Sequence, residues 1–194
     1  MRGIAKDYGH ESVFVLPPPD NSSDFTFRFF VPNHEMEMCG HATVGAVWLL
    51  RQRGRLPREE VRIATLSGPV RARITEAGVE ISQPQGKLTP LPDAEQSLSE
   101  ILSVLRIDRN ALAAWPVWNA STSRVKTLIP LKSVAILDGL RPDFARIEQL
   151  CEKIGSTGLY PFAVSDAGNR IFDARQFPKS SGYPEDAATG IAAA

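Results

Sequence analysis

The chain has 194 residues, with 22 Lys and Arg side chains balanced by 22 Asp and Glu side chains, so its formal net charge at neutral pH is zero. This balance excludes the basic surface of a nucleic-acid-binding protein, and we expect no nucleic-acid partner. Two cysteines are too few for a disulfide framework, and the first residues form no signal peptide. We therefore expect a cytoplasmic protein without a membrane segment.

The first half of the chain is predicted to combine short strands with one apolar helix. Residues 1–9 have the pattern of the end of a helix, with Gly9 as its stop signal. Apolar alternation and turn residues then predict a series of strands. These are Ser12–Leu16, Asp24–Val31, Glu60–Ala64, Val70–Ile74 and Val79–Ser82.

The apolar helix is predicted over residues 41–53, directly after the second strand and a short acidic turn. Residues 42–50 are apolar on nearly every side, so we expect this helix to be buried on every side. At this length it is too short to cross a membrane. The free N–H groups at its N-terminus are predicted to face whatever lies beside Glu35 and Cys39, and such a helix end can bind a carboxylate.

The second half is predicted to begin after Gln83 to Pro92, a proline-rich stretch that we interpret as the join between domains 1–86 and 87–194. Two amphipathic helices are predicted, Ala94–Leu105 and Pro142–Ile154. The predicted strands are Pro116–Ala120, Arg124–Pro130, Val134–Leu137, Tyr160–Ser165 and Arg170–Phe177. The chain then repeats the order predicted around the apolar helix of the first half, namely a strand, a polar turn and small apolar residues.

Glu35 is the first candidate for acid–base chemistry, because it precedes a helix N-terminus that can bind an anion. Partial burial beside an apolar helix is expected to raise the pKa of this carboxyl group toward neutrality. Glu37 shares a strand face with Glu35, so geometry alone leaves it as an alternative. A solvated acid at the end of a strand is the other interpretation of Glu35.

Two motifs carry a resemblance to a known family: Glu35-x-x-x-Cys39-Gly40-His41-Ala42-Thr43 and, near the end, residues 185–192. Together they resemble the PhzF-like (phenazine biosynthesis protein PhzF) family of the diaminopimelate epimerase-like superfamily. The resemblance implies an α+β fold of two similar halves, each a mostly antiparallel sheet or barrel wrapped on a central helix. The chain is shorter than this family at both ends, so we expect the second half to lack most of its central helix.

The resemblance also implies an activity. Members are isomerases or epimerases that need no cofactor and move a proton within a small carboxylate-bearing metabolite, and a homodimer is implied. Glu35 is implied to take the proton from one carbon and return it to another, while Asp186 holds or polarises the substrate. The implied substrate-binding residues are Cys39, Gly40, His41, Ser67, Gly68, Thr189 and Gly190.

Cys39 has further interpretations, since Met38-Cys39-Gly40-His41 also resembles the thiol motif of proline racemases and diaminopimelate epimerase. Racemisation by two thiols needs a second cysteine, but Ala187 stands at the corresponding position. A buried inert cysteine and a supporting role both stay open. His34, Cys39 and His41 do not have the spacing of a closed zinc site, so we expect no metal.

A second hypothesis follows from the short ends. The protein can instead be a shortened family member that has lost the activity and serves as an oligomeric binding or interaction protein. Proton exchange between solvent and a bound substrate separates this hypothesis from the isomerase.

Overall fold

The computed structural model describes residues 1–83, 85–122, 124–180, 183–186 and 190. They fall into two units, Met1–Pro84 and Gln85–Ala194, and each unit contains one six-stranded sheet. Within this described part of the chain, no helix has both the length and the apolar character that crossing a membrane requires.

The first unit is a mixed sheet with a helix packed against it. Its elements are α1 (Arg2–Tyr8), β1 (Ser12–Leu16), β2 (Phe25–Phe30), β3 (Glu35–Met36), α2 (Gly40–Gln52), β4 (Glu60–Thr65), β5 (Gly68–Thr75) and β6 (Gly78–Ile81). The sheet order is β1–β2–β4–β5–β6, and β3 pairs with β2. The β2–β4 pair is parallel and the others are antiparallel. The first two predicted strands are observed as β1 and β2, which pair as an antiparallel hairpin.

Helix α2 contacts β1, β5 and β6, so the sheet curves around one side of it. Its buried residues are Thr43, Ala46 and Val47, whose spacing marks a single helix face. Trp48 and Leu49 are 53% and 48% exposed. The prediction of burial on every side is therefore wrong. The all-apolar pattern does not establish burial on every side, because large apolar residues are common on protein surfaces as well.

The second unit is also a mixed sheet, with helices on one face. Its elements are β7 (Lys87–Pro90), α3 (Ala94–Leu105), a 3-10 turn (Arg109–Ala111), β8 (Trp118–Ser121), β9 (Val125–Leu131), α4 (Val134–Gly139), α5 (Phe144–Ile154), β10 (Gly158–Asp166), β11 (Ile171–Ala174) and β12 (Phe177–Pro178). The sheet order is β11–β10–β9–β8–β7, and β12 pairs with β10. Only β9 and β10 run parallel among these pairs.

The core of the second unit lies between the sheet and helices α3, α4 and α5. Ile101 of α3, Ile147 of α5, Ile129 of β9 and Leu159 of β10 belong to one buried apolar cluster. The predicted helix Ala94–Leu105 has the observed bounds, because its apolar stripe is the face that enters this cluster.

One predicted strand in the second half is wrong, and one observed strand was not predicted. The predicted strand Val134–Leu137 lies in helix α4, where the Ser133 hydroxyl accepts a hydrogen bond from the Ile136 N–H at 3.3 Å and caps the helix. A short apolar run cannot distinguish a strand from a helix turn. The predicted join also contains a strand, β7, whose exposed position at the sheet edge tolerates Pro90.

Candidate active site

Glu35 lies on β3 and forms a bidentate ion pair with Arg28 of β2. The Arg28 Nε donates to Glu35 Oε1 at 2.7 Å, and Nη2 donates to Oε2 at 2.6 Å. Glu35 is paired with Phe30 across the two antiparallel strands, so Arg28 occupies the diagonal position, within reach of a long side chain. The Glu35 side chain is 22% exposed, which leaves it accessible from solvent.

The Arg28 pair sets the ionisation of Glu35. Hydrogen bonds from the guanidinium lower the pKa of Glu35 below its ordinary value, and they outweigh partial burial, which acts in the opposite direction. The predicted rise in the pKa of Glu35 is therefore wrong. A carboxyl group with a lowered pKa is ionised at neutral pH, so Glu35 is in the form that a general base requires.

The N-terminus of α2 lies directly after this strand. Cys39 is its N-cap residue, and the Cys39 carbonyl accepts hydrogen bonds from the Thr43 N–H at 3.0 Å and the Thr43 hydroxyl at 2.7 Å. The Cys39 side chain makes no capping hydrogen bond. The first-turn N–H groups, which begin at Gly40, therefore keep the donor capacity that suits a carboxylate.

Cys39 and His41 form a polar cluster with Glu11, a residue that was not predicted as part of the site. His41 Nε2 lies 2.7 Å from Glu11 Oε2. The Cys39 Sγ lies 3.6 Å from Glu11 Oε2 and 3.6 Å from His41 Nδ1. Thiol, imidazole and carboxylate in contact can pass a proton, and the three ligand-type atoms, all within 4.8 Å of one another, can also contact one metal ion. The expected absence of a metal stays a prediction.

Ser67 and Gly68 lie at the turn between β4 and β5. The Thr65 hydroxyl donates to the Gly68 carbonyl at 2.6 Å, and Gly68 has a φ of 107°, a left-handed conformation that favours glycine. These contacts explain the turn as part of the hairpin. A role in substrate binding stays a prediction.

Asp186 lies in the second unit, where its N–H donates to the Gln176 carbonyl at 2.9 Å. The preceding residue, Glu185, accepts two hydrogen bonds from Arg175, at 2.8 Å from Nε and 2.7 Å from Nη2. These bonds lower the pKa of Glu185. Arg175 thus ties the segment that carries Asp186 to the strand region before it.

The same local arrangement occurs in both units. An Arg-x-Phe tripeptide stands at residues 28–30 and again at residues 175–177, and each arginine lies over its phenylalanine ring, at 5.3 and 5.0 Å from the centroid. Each arginine pairs with a glutamate, Glu35 or Glu185, that stands five residues before a glycine. Neither arginine was predicted as a site residue, although the repeated tripeptide is a sequence signal that could have indicated both.

The remaining predicted site residues are only partly described. Gly190 is exposed, while Thr189, Ala187 and the rest of the predicted second helix lie outside the described residues. The structure therefore brings Glu35 together with Arg28, and Cys39 together with His41, in the first unit. Asp186 is held within the second unit.

Comparison with known proteins identifies relatives over the whole chain. The family model described as phenazine biosynthesis-like protein (PhzC-PhzF) matches residues 1–194. A protein named "Uncharacterized isomerase YddE" from Escherichia coli O157:H7 is 33% identical over 197 residues, which cover 99% of this chain and 65% of the relative. The chain thus spans slightly less than two thirds of the length of that relative.

Solved structures show the same fold. The Bacillus anthracis phenazine biosynthesis protein of the PhzF family matches with a TM-score of 0.79 and 24% identity, covering 100% of this chain and 66% of that one. A Pseudomonas aeruginosa protein described as a predicted epimerase matches with a TM-score of 0.74 and 24% identity, covering 99% and 67% of the two chains. The expected α+β, diaminopimelate epimerase-like fold is confirmed.

Proposed function

Since the chain belongs to the phenazine biosynthesis-like protein family, we propose that it is an isomerase or epimerase that needs no cofactor and moves a proton within a small carboxylate-bearing molecule. Glu35 is the acid–base group and Asp186 assists by holding or polarising the substrate. The observation that carries this proposal is Glu35, kept ionised by its pair with Arg28 and placed four residues before Cys39, the N-cap residue of α2. Relatives that are named uncharacterized isomerases support the reaction class.

The proposed reaction has two steps. The Glu35 carboxylate accepts a proton from the carbon next to the substrate carboxylate, and the electron pair of that C–H bond moves into the substrate as an enolate-type system. Protonated Glu35 then gives the proton to another carbon of the enolate-type system, which restores a C–H bond there. Arg28 stabilises the carboxylate form, so it favours this return of the proton.

The substrate carboxylate is proposed to bind at the first-turn N–H groups of α2, at Gly40 and His41. The positive end of the helix dipole favours an anion there, and it also stabilises negative charge that develops on the substrate during proton removal. Proton transfer of this kind requires only carboxylates and hydrogen-bond donors. Action as a homodimer is part of the same proposal.

Solvent exchange tests the proposal. The full chain is incubated in D2O with a panel of small amino and hydroxy acids, and loss of each α-proton signal is followed by NMR. We expect exchange with at least one compound by the wild type and by Glu37→Gln, and none by Glu35→Gln. The Glu37 variant is the matched control, because it removes an exposed carboxylate two residues away.

Two outcomes would count against the proposal. Exchange by Glu35→Gln at the wild-type rate would remove Glu35 from the reaction. Binding of a carboxylate by the wild type without any exchange would favour the alternative hypothesis of a binding protein.

A further inference from the structure

Three side chains that commonly bind metal ions lie together at the start of helix α2. Cys39 is the N-cap residue and His41 is the second residue of the helix, while Glu11 stands in the loop between α1 and β1. Strand β1 packs against α2, so the segment that carries Glu11 is held beside the N-terminus of the helix. The fold therefore brings together side chains that are 28 residues apart in the sequence.

The three ligand atoms form a triangle whose sides suit a tetrahedral zinc ion. The Cys39 Sγ lies 3.6 Å from Glu11 Oε2 and 3.7 Å from His41 Nε2, while Glu11 Oε2 and His41 Nε2 are 2.7 Å apart. Bonds of about 2.3 Å to sulfur and about 2.0–2.2 Å to nitrogen or oxygen place the ligand atoms of such an ion roughly 3.4–3.6 Å from one another. Two sides of the triangle are already close to this length, and the third must open by roughly 0.7 Å. Glu11 and His41 are exposed, so this adjustment leaves the core undisturbed.

The chemistry of the three donors selects the type of metal. Thiolate and imidazole suit zinc and its neighbours among the transition metals, whereas magnesium and calcium prefer oxygen ligands. The Cys39 thiolate and the Glu11 carboxylate together neutralise the two charges of the ion, and the thiol proton is released to solvent on binding. Three protein ligands leave the fourth tetrahedral position open to a water molecule. The expectation of no metal considered His34 as the third ligand, but Glu11 takes that place in the folded chain.

We propose that Glu11, Cys39 and His41 form a binding site for one Zn²⁺ ion, which enters from solvent and binds reversibly. The side chains of Glu11 and His41 are open to solvent and give the ion access, while the buried Cys39 closes the site from the protein side. A bound ion lies beside the first turn of α2, where the substrate carboxylate is proposed to bind. Zinc should therefore inhibit the isomerase rather than serve as its cofactor. This inhibition rests on the proposed function, but binding of zinc does not.

Cobalt titration of the full chain with reduced thiols tests the site, because Co²⁺ accepts the same ligand types as Zn²⁺ and gives an absorption spectrum. We expect one equivalent of Co²⁺ to bind with the near-ultraviolet charge-transfer absorption of a thiolate ligand, and Zn²⁺ to displace it. Calorimetric titration then measures the affinity for Zn²⁺, which Cys39→Ser and Glu11→Gln should each lower by at least about tenfold. Excess Mg²⁺ should leave the bound Zn²⁺ in place.

Two control variants separate this site from other side chains that bind metals. His10→Gln removes an exposed histidine next to Glu11 in the sequence, and Cys151→Ala removes the other cysteine, which is buried in α5. Both variants should keep the Zn²⁺ affinity and the Co²⁺ spectrum of the wild type.

Several results would overturn the proposal. They are no Zn²⁺ binding by the wild type, Co²⁺ binding without the charge-transfer absorption, unchanged Zn²⁺ affinity in Cys39→Ser or Glu11→Gln, loss of affinity in His10→Gln, and displacement of Zn²⁺ by Mg²⁺. Proton exchange by the wild type at an undiminished rate in saturating Zn²⁺ would overturn the inhibition alone. Glu35→Gln should bind Zn²⁺ as the wild type does, so failure of the exchange experiment and failure of this one are distinguishable.

Discussion

Replacement of Lys126 by methionine is expected to stabilise the protein by about 3 kcal/mol at pH 7. Burial and repulsion from Arg124 lower the pKa of Lys126 from 10.5 to about 8. Each unit of pKa difference corresponds to about 1.4 kcal/mol, so this lysine destabilises the folded state by about 3 kcal/mol where it is charged. Methionine has a similar length and no charge to bury.

The sign of the pH dependence follows from proton binding. Between pH 8 and 10.5 the unfolded chain keeps the Lys126 proton while the folded chain has lost it. Stability contributed by this group therefore rises with pH across that window, and the full penalty applies below pH 8. Burial raises the pKa of the Cys151 thiol from 9.0 to about 11, which has the opposite effect at high pH. The Cys151 effect is present in the wild type and in Lys126→Met, so it largely cancels in the difference between their free energies of unfolding.

Urea unfolding of the wild type and Lys126→Met at pH 7 and pH 10 measures the effect. We expect the free energy of unfolding of Lys126→Met to exceed that of the wild type by about 3 kcal/mol at pH 7, and by much less at pH 10. Lys132→Met is the control, and its stability should stay within about 0.5 kcal/mol of the wild type, as for most surface substitutions. Equal free energies of unfolding of Lys126→Met and the wild type at pH 7 would refute the expected cost of burying Lys126. A difference between them that does not change with pH would refute it as well.

Three further predictions concern other residues. Arg28→Gln should raise the pKa of Glu35, which NMR titration of its carboxyl carbon measures. In the wild type the lowered pKa of Glu35 adds stability above about pH 4.5 that is lost on acidification, and the variant should lack this contribution. An unchanged pKa of Glu35 in the variant would contradict the ion pair. Gly158→Ala should destabilise by about 1–3 kcal/mol in urea, because its Cβ would lie 2.9 Å from the Phe177 carbonyl oxygen. A Cβ added at Gly45 would have no heavy atom within 4 Å, so Gly45→Ala should stabilise helix α2 by about 0.5–1 kcal/mol. Equal changes in the free energy of unfolding for Gly158→Ala and Gly45→Ala would contradict the close packing around Gly158.

Local patterns predicted most of the secondary structure. The hairpin of β1 and β2 follows from strand alternation and the proline-rich turn between them, and α3 follows from its apolar stripe. Helix α4 was missed because its four apolar residues fit either structure and the deciding contact is the Ser133 cap. Burial of α2 was misjudged because sequence gives the apolar surface of a helix but not how much of it a sheet covers.

The sequence predicts Glu35 as a site residue, but it does not predict the environment of that side chain. Its pKa depends on Arg28, seven positions earlier, and on the β2–β3 register that brings the two together. Lys126 was missed for a related reason, since only the alternation of β9 against a packed core shows that it enters a cavity. Properties set by contacts between strands could be read only from the folded chain.

The most direct test of the central claim is the number of solvent deuterium atoms in the product formed in D2O, measured by mass spectrometry for any substrate that the NMR panel identifies. A carboxylate at residue 35 that transfers the proton predicts deuterium in the product of the wild type, slower labelling by Glu35→Asp, and none by Glu35→Gln. Labelling by Glu35→Gln as fast as by the wild type would contradict the account.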